Sequence, residues 1–168
     1  MLIQALLIAQ LVAPVIINNP LPVKKKLRDT TKNYIVLHYD DGGSYEDVRR
    51  TLIKSKNSYH YYITRDGTIY NLVDTKYAAN HAGVSYYNGY VRLNNYSIGI
   101  CFQNKPPQEY TAMQYKNGAW LIKQLQTQYK DSTAKIIIGH SNIAFPRRRK
   151  SDPGKHFDWD VFNKLLRN

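Results

Sequence analysis

Three short apolar runs constrain this chain more than any other feature: Tyr34-Ile35-Val36-Leu37, Ser97 to Gln103, and Lys135 to Ile138. They are rich in β-branched residues, and the first shows no polar alternation. Such runs read as strands buried on both faces, which need helices above and below the sheet. The sequence between them supplies those helices. Ser44 can cap a helix from Tyr45 to about Lys56, with Glu46 and Asp47 in the first turn, where the helix dipole favours carboxylates. Thr111 can cap a longer helix through about Tyr129, with Met113, Leu121 and Leu125 on one face. Asp158 to Leu166 reads as a short terminal helix. Tyr59 to Thr64 alternates as a strand, Asp66-Gly67 marks a hairpin turn, and Thr68 to Val73 is the return strand. The order strand, helix, hairpin, strand, helix, strand, helix predicts an α/β fold: a single domain with a mixed central β-sheet flanked by helices.

The 168 residues suit one domain. The single cysteine, Cys101, excludes an internal disulfide framework and a Cys-rich metal site. Leu2 to Ile17 is apolar but broken by Gln4, Gln10 and Pro14, and Lys24, Lys25, Lys26 and Arg28 follow it. Three readings stand side by side: a weak signal or signal-anchor, a helix contacting a membrane or a virion protein, or a helix packed on the domain. The cations argue against simple export. Asn18 to Thr31 is polar, carries Pro20 and Pro22, and reads as a linker. Residues 1–32 are therefore set apart as an apolar segment and linker, and 33–168 as the folded domain. The net charge of +12 favours polyanionic partners, either nucleic acid or anionic cell-envelope polymers. No nucleic-acid motif is present and the cations are scattered, so no nucleic-acid partner is expected.

His38 ends the first apolar run and His140 follows the third. Residues at the ends of neighbouring buried strands converge on one side of a sheet. Asp152 lies shortly beyond His140. Two His and one carboxylate with an open fourth position form the ligand set of a catalytic zinc site. The alternative is that each His is an ordinary core or surface residue and Asp152 opens a turn before Pro153. Lys150 and Asp152 are two apart in a segment that Pro153 biases toward extended backbone, so their side chains share a side. That places an ammonium where it could stabilise an oxyanion; the alternative is one more solvated cation beside Arg147, Arg148, Arg149 and Lys155. Pro146, Pro153 and Gly154 predict that Gly139 to Gly154 is loop rather than helix. Asn80 to Asn95 reads as a long loop of the kind that often carries function.

Several motifs, in order, carry a resemblance. YIVLHYDD, SYHYYITRDGTIYNLV, NHAGVSYYNG, NNYSIGICFQN and GHSNIAFPRRRKSDPGKHFDW run from about Asn33 to Trp159. Together they resemble the zinc-dependent N-acetylmuramoyl-L-alanine amidases of the type-2 amidase and peptidoglycan-recognition superfamily. The resemblance implies the type-2 amidase fold and Zn2+ held by His38, His140 and Asp152. It implies Lys150 as the transition-state lysine and His81 as a substrate-binding residue of the cleft. Tyr86, Tyr87 and Tyr90, on the loop expected to help form that cleft, are candidate substrate contacts, the alternative being plain loop packing. The substrate implied is peptidoglycan, cut between N-acetylmuramic acid and L-alanine. Two departures stand out. The His140 to Lys150 loop is longer than the usual pattern, with FPRRRK where PGRK is common, and its extra residues are expected to bulge outward. Cys101 stands where many members carry a Glu as general base. Some phage members that also lack that Glu use a Tyr from the same hairpin, which here is Tyr59, relaying a proton or orienting the water.

These features lead to an expected monomeric endolysin or virion-associated lysin acting at the bacterial cell envelope, reached with the virion or by release from the host cytoplasm. The competing expectation is a non-catalytic peptidoglycan-binding module of the same fold. His60 is expected to be structural and Cys101 a buried strand residue.

Overall fold

A computed structural model of the chain describes residues 13–130 and 132–167. The strands are β1 (Ile16–Asn18), β2 (Tyr34–Tyr39), β3 (Tyr61–Ile63), β4 (Ile69–Asn71), β5 (Tyr86–Tyr87), β6 (Tyr90–Val91), β7 (Ser97–Phe102) and β8 (Ile137–Gly139). The helices are α1 (Tyr45–Ser55), α2 (Ala112–Gln128), α3 (His140–Ile143) and α4 (Trp159–Arg167). Six strands form one mixed sheet in the order β1-β4-β3-β7-β2-β8, and β5 and β6 pair separately. The three apolar runs become β2, β7 and β8, adjacent and parallel, with β2 in the middle. The expected α/β architecture is observed.

The pleat sorts the side chains. Ile35 and Leu37 of β2 and Ile98, Ile100 and Phe102 of β7 join the core packed by α2 and α4. The hydroxyl of Thr111 accepts the Gln114 N–H and the Gln114 side chain accepts the Thr111 N–H, a reciprocal box that starts α2. Ser44 caps α1 as expected, accepting from the Asp47 N–H at 3.2 Å. On the opposite face of the sheet, Val48 and Leu52 of α1 pack with Tyr62, Leu72 and Cys101. His38, Cys101 and Tyr62 sit side by side in register across β2, β7 and β3, so they share this second face.

Two expectations are corrected. The Asn18 to Thr31 stretch is not a free linker. β1 extends the sheet in parallel with β4, and the backbone continues alongside it, with the Asn19 and Leu21 N–H groups donating to Asn71 and Leu72 carbonyls. Leu21 is buried there, and Arg28 is buried with its guanidinium on the Thr75 carbonyl and the Asn33 side chain. Ordering follows from the exposed edge of β4, which offers unpaired backbone groups to the chain. The second correction is at His140, which opens the one-turn helix α3 rather than lying in a loop. Asn142 accepts the Gly139 N–H at 2.9 Å, and the Ser141 N–H donates to the Asp152 carbonyl at 3.0 Å, before Pro146 stops the turn. The expectation of a membrane or virion contact rested on residues 2–17, of which 2–12 lie outside the described residues. No helix among the described residues is long and apolar enough to cross a membrane.

Candidate metal centre and cleft

β2 delivers His38 to the edge of the second face, and β8 delivers His140 beside it. The two rings lie 4.7 Å apart, edge to face. The loop after α3 returns Asp152 between them. Its carboxylate Oδ2 is 2.8 Å from Nδ1 of His38 and 3.1 Å from Nδ1 of His140. All three residues are buried, and one ligand atom from each lies within 4.8 Å of the others. The return is held by the Ser141–Asp152 backbone bond and by the Tyr110 hydroxyl, which donates to the Pro153 carbonyl at 2.7 Å. Gly139 makes this approach possible: a Cβ there would sit 2.6 Å from the Pro153 ring.

The donor set fits a zinc ion. Nε2 of His140 is 3.0 Å from the Ala82 carbonyl, which only accepts, so Nε2 carries a proton, and with a metal bound Nδ1 would be the nitrogen free to ligate beside Asp152. Nitrogen, nitrogen and carboxylate oxygen with the far nitrogen anchored are what a catalytic zinc site uses. Burial pushes the His38 pKa down, against the raising effect of Asp152. Burial alone would raise the Asp152 carboxyl, but hydrogen bonds and charge from His140 and His38 hold it well below the usual carboxylate range. A neutral imidazole and an ionised carboxylate are the protonation states that bind metal.

His140 and Asp152 open onto a cleft of about 510 Å³ that Tyr59, His81 and Lys150 also line, with His38 buried behind them. Lys150 is exposed on its wall, two residues before Asp152. The Tyr59 ring lies 5.1 Å from that of His38. Cys101 is fully buried, with its thiol directed at the Phe102 carbonyl at 3.9 Å. Burial pushes both the phenol and the thiol well above their ordinary values, so both keep their protons. His81 borders the cleft but is buried, with Nδ1 3.0 Å from Nε2 of His38 and Nε2 3.2 Å from the Ser97 hydroxyl. The structure does not bring Tyr86 or Tyr87 into the cleft lining. Tyr86 is exposed on the β5–β6 hairpin, and Tyr87 packs edge-on against Tyr34 at 5.4 Å. His60 is held between the Gly99 N–H and the Tyr77 carbonyl, and burial lowers its pKa to about 3. In the longer loop, Phe145, Arg147 and Arg148 face solvent, while Arg149 folds back onto the Val84 carbonyl at 2.7 Å. Sequence reasoning missed this strap and the role of Asn94, whose side-chain oxygen accepts from the N–H groups of His81 and Ala82.

The N-acetylmuramoyl-L-alanine amidase family profile matches residues 28–155. This chain belongs to that family. It is 42% identical over 109 residues to the 1,6-anhydro-N-acetylmuramyl-L-alanine amidase AmpD of Citrobacter freundii, covering 65% of this chain and 57% of that protein. It is 31% identical to the Escherichia coli N-acetylmuramoyl-L-alanine amidase AmiD, covering 74% of this chain and 50% of that protein. The chain thus spans just over half the length of the AmpD protein it matches and half that of AmiD. Among solved structures, a selenomethionine AmpD derivative superposes with a TM-score of 0.76 at 32% identity, over 89% of this chain and 93% of that one. E. coli AmiD, solved with anhydro-N-acetylmuramic acid-L-Ala-D-γ-Glu-L-Lys, gives 0.71 at 26% identity, over 82% of this chain and 58% of that one.

Proposed function

We propose that this chain is a zinc-dependent hydrolase that cleaves the amide bond between N-acetylmuramic acid and the L-alanine of peptidoglycan. The observation that carries this is the convergence of His38, His140 and Asp152, of which His140 and Asp152 line one cleft together with Lys150. His38, His140 and Asp152 would hold the ion. Bound zinc supplies a Lewis acid and a water whose pKa falls to about 7. Lys150 places an ammonium where negative charge develops on the scissile carbonyl oxygen. Tyr59, protonated beside His38, acts as a hydrogen-bond donor that orients water or the carbonyl. Of the two roles expected for it, burial favours this one over taking up a proton.

The place of action divides into two readings. Likeness to AmpD, named for a 1,6-anhydro-N-acetylmuramyl substrate, supports small soluble muropeptides. The net charge of +12 supports an endolysin or virion-associated lysin working on the anionic wall polymer. One experiment addresses both. Purified sacculi and a soluble anhydromuramyl tripeptide are digested with and without chelator, and products are read by mass. Free stem peptides beginning at L-alanine, lost with chelator and restored by zinc, are expected. Cleavage of sacculi selects the lysin reading, and cleavage of the soluble substrate alone selects the other. Wall that is bound but intact, by protein that takes up no zinc, would leave a peptidoglycan-binding module instead.

A further inference from the structure

We propose that Asn94 is a positioning residue: through one dipeptide, His81-Ala82, it fixes which nitrogen each metal-binding histidine presents. This rests on the zinc reading of the site. Two carbonyl oxygens, which only accept, determine the hydrogen-bond directions. The Ala82 carbonyl takes the Nε2 proton of His140 directly, at 3.0 Å. The second path starts at the Leu93 carbonyl, which takes the Ser97 hydroxyl proton. The Ser97 oxygen is then left to accept, and Nε2 of His81 donates to it at 3.2 Å. A neutral His81 has no second proton, so its Nδ1 accepts. Nε2 of His38, 3.0 Å away, must donate to it. Both metal-binding histidines are therefore protonated on Nε2, and with a metal bound both Nδ1 atoms, beside Asp152, would be the ones left to ligate.

The dipeptide that receives both protons is itself fixed by Asn94. Its Oδ1 accepts the Ala82 N–H at 2.7 Å and the His81 N–H at 3.0 Å, the latter shared with the Ala79 carbonyl. Among the described residues, the Asn94 side chain makes no hydrogen bond to either metal-binding histidine. It lies on the turn just before β7, and β7 supplies Ser97 and the bare backbone at Gly99 over which the His81 ring lies. One side chain thus couples the turn to both histidines. The His81 ring and the Ala82 carbonyl stand one step behind the ligands, where partners set affinity by about 10- to 100-fold, and Asn94 acts by holding both of them in place.

The test is zinc affinity, measured by competition with a chromogenic chelator, together with nitrogen-15 spectra of the histidine rings in the zinc-loaded protein. Asn94→Ala, folded by circular dichroism, is expected to bind zinc about 10-fold or more weakly. Asn94→Asp, which keeps the accepting oxygen, is expected to restore most of that loss. The wild-type spectra are expected to show His38 and His140 protonated on Nε2 and bound through Nδ1. Unchanged affinity in folded Asn94→Ala, or metal bound through Nε2 of either histidine, overturns the proposal. Should Asn94→Ala fail to fold, the wild-type spectra decide it. A wild-type chain that takes up no zinc overturns the metal reading and this inference with it. Zinc uptake with an indifferent Asn94→Ala overturns this inference alone.

Discussion

The sharpest prediction concerns Gly99, in the middle of β7. Its backbone is ordinary strand, so alanine costs nothing in conformation, and any penalty comes from contact. A Cβ at this position would lie 2.5 Å from Cγ of His81 and 2.7 Å from Cδ2 and Nδ1, where ordinary contact begins near 3.4 Å. The ring would have to retreat by about 1 Å, the difference between those distances. It has little room to do so, because it lies edge-on between His38 and His60, with ring centroids 5.1 and 5.8 Å away. Overpacking of this kind costs about 1–3 kcal/mol. In a domain of this size that lowers Tm by roughly 2–12 °C. A retreat of that size also lengthens the 3.0 Å contact to His38 beyond hydrogen-bond range, so zinc affinity should fall about 10-fold.

Gly118→Ala is the matched control. Its Cβ would meet the Phe102 ring at 2.8 Å, on the other face of the sheet and away from the metal site. Part of that strain is offset by about 1 kcal/mol of helix propensity gained in α2. Thermal denaturation and chelator competition on both variants should show Tm lowered most by Gly99→Ala, and zinc affinity lowered by Gly99→Ala alone. Gly99→Ala with wild-type Tm and wild-type zinc affinity would refute the claim that the His81 ring is wedged against this strand.

The remaining predictions follow from the site. Lys150→Met should lower kcat about 100-fold or more while zinc affinity stays the same; an equal loss of zinc affinity would count against an oxyanion role. Tyr59→Phe should lower kcat without shifting the alkaline limb of the pH profile, because a donor that stays protonated does not titrate there; a moved alkaline limb would make Tyr59 a base. For the metal-free protein, burial holds His60 at about 3, far below the ordinary histidine value near 6.5. The unfolded chain therefore takes up protons first as pH falls, and stability present above about 6.5 is lost toward 3. Between pH 6.5 and 5 the loss from His60 is about 2 kcal/mol, read by urea denaturation; a flat stability over that range would contradict it.

Much of the fold is legible in the sequence because it rests on local signals. Unbroken apolar runs become the parallel centre of the sheet, and Ser44 and Thr111 mark the helix starts by chemistry that acts within one turn. β1 is not legible, because three residues reaching parallel register with a strand some fifty positions later leave no local periodicity. α3 is hidden for the same reason: its first turn depends on the Ser141 N–H finding the Asp152 carbonyl. His38 and His140 are readable as strand ends. That His81 lies behind them depends on Ser97, Leu93 and Asn94 meeting in space. A signal for it was present all the same. Glycine inside an apolar strand, as at Gly99, marks close approach by another group. Tyr86 and Tyr87 show the opposite case, where tyrosines on a Gly-rich loop suggest a groove and two adjacent hairpin positions direct them elsewhere.

Cys101 and the N-terminal strand are best understood together. The register places position 101 between His38 and Tyr62, on the floor below the metal-binding groups. A Glu there would have to ionise beside Asp152 and against Val48, Leu52, Leu72 and Leu21, the last brought in by the segment that follows β1. An apolar floor raises the cost of that charge, and a small thiol meets no such cost. With zinc bound, the exchange would leave the site one charge more positive than a Glu would, with Asp152 as the carboxylate among its ligands. On the proposed zinc reading, such a site would give up a fixed carboxylate base and gain attraction for an oxyanion. Its catalytic strength should therefore rest on charge stabilisation by Lys150 and the ion, with Tyr59 orienting rather than accepting.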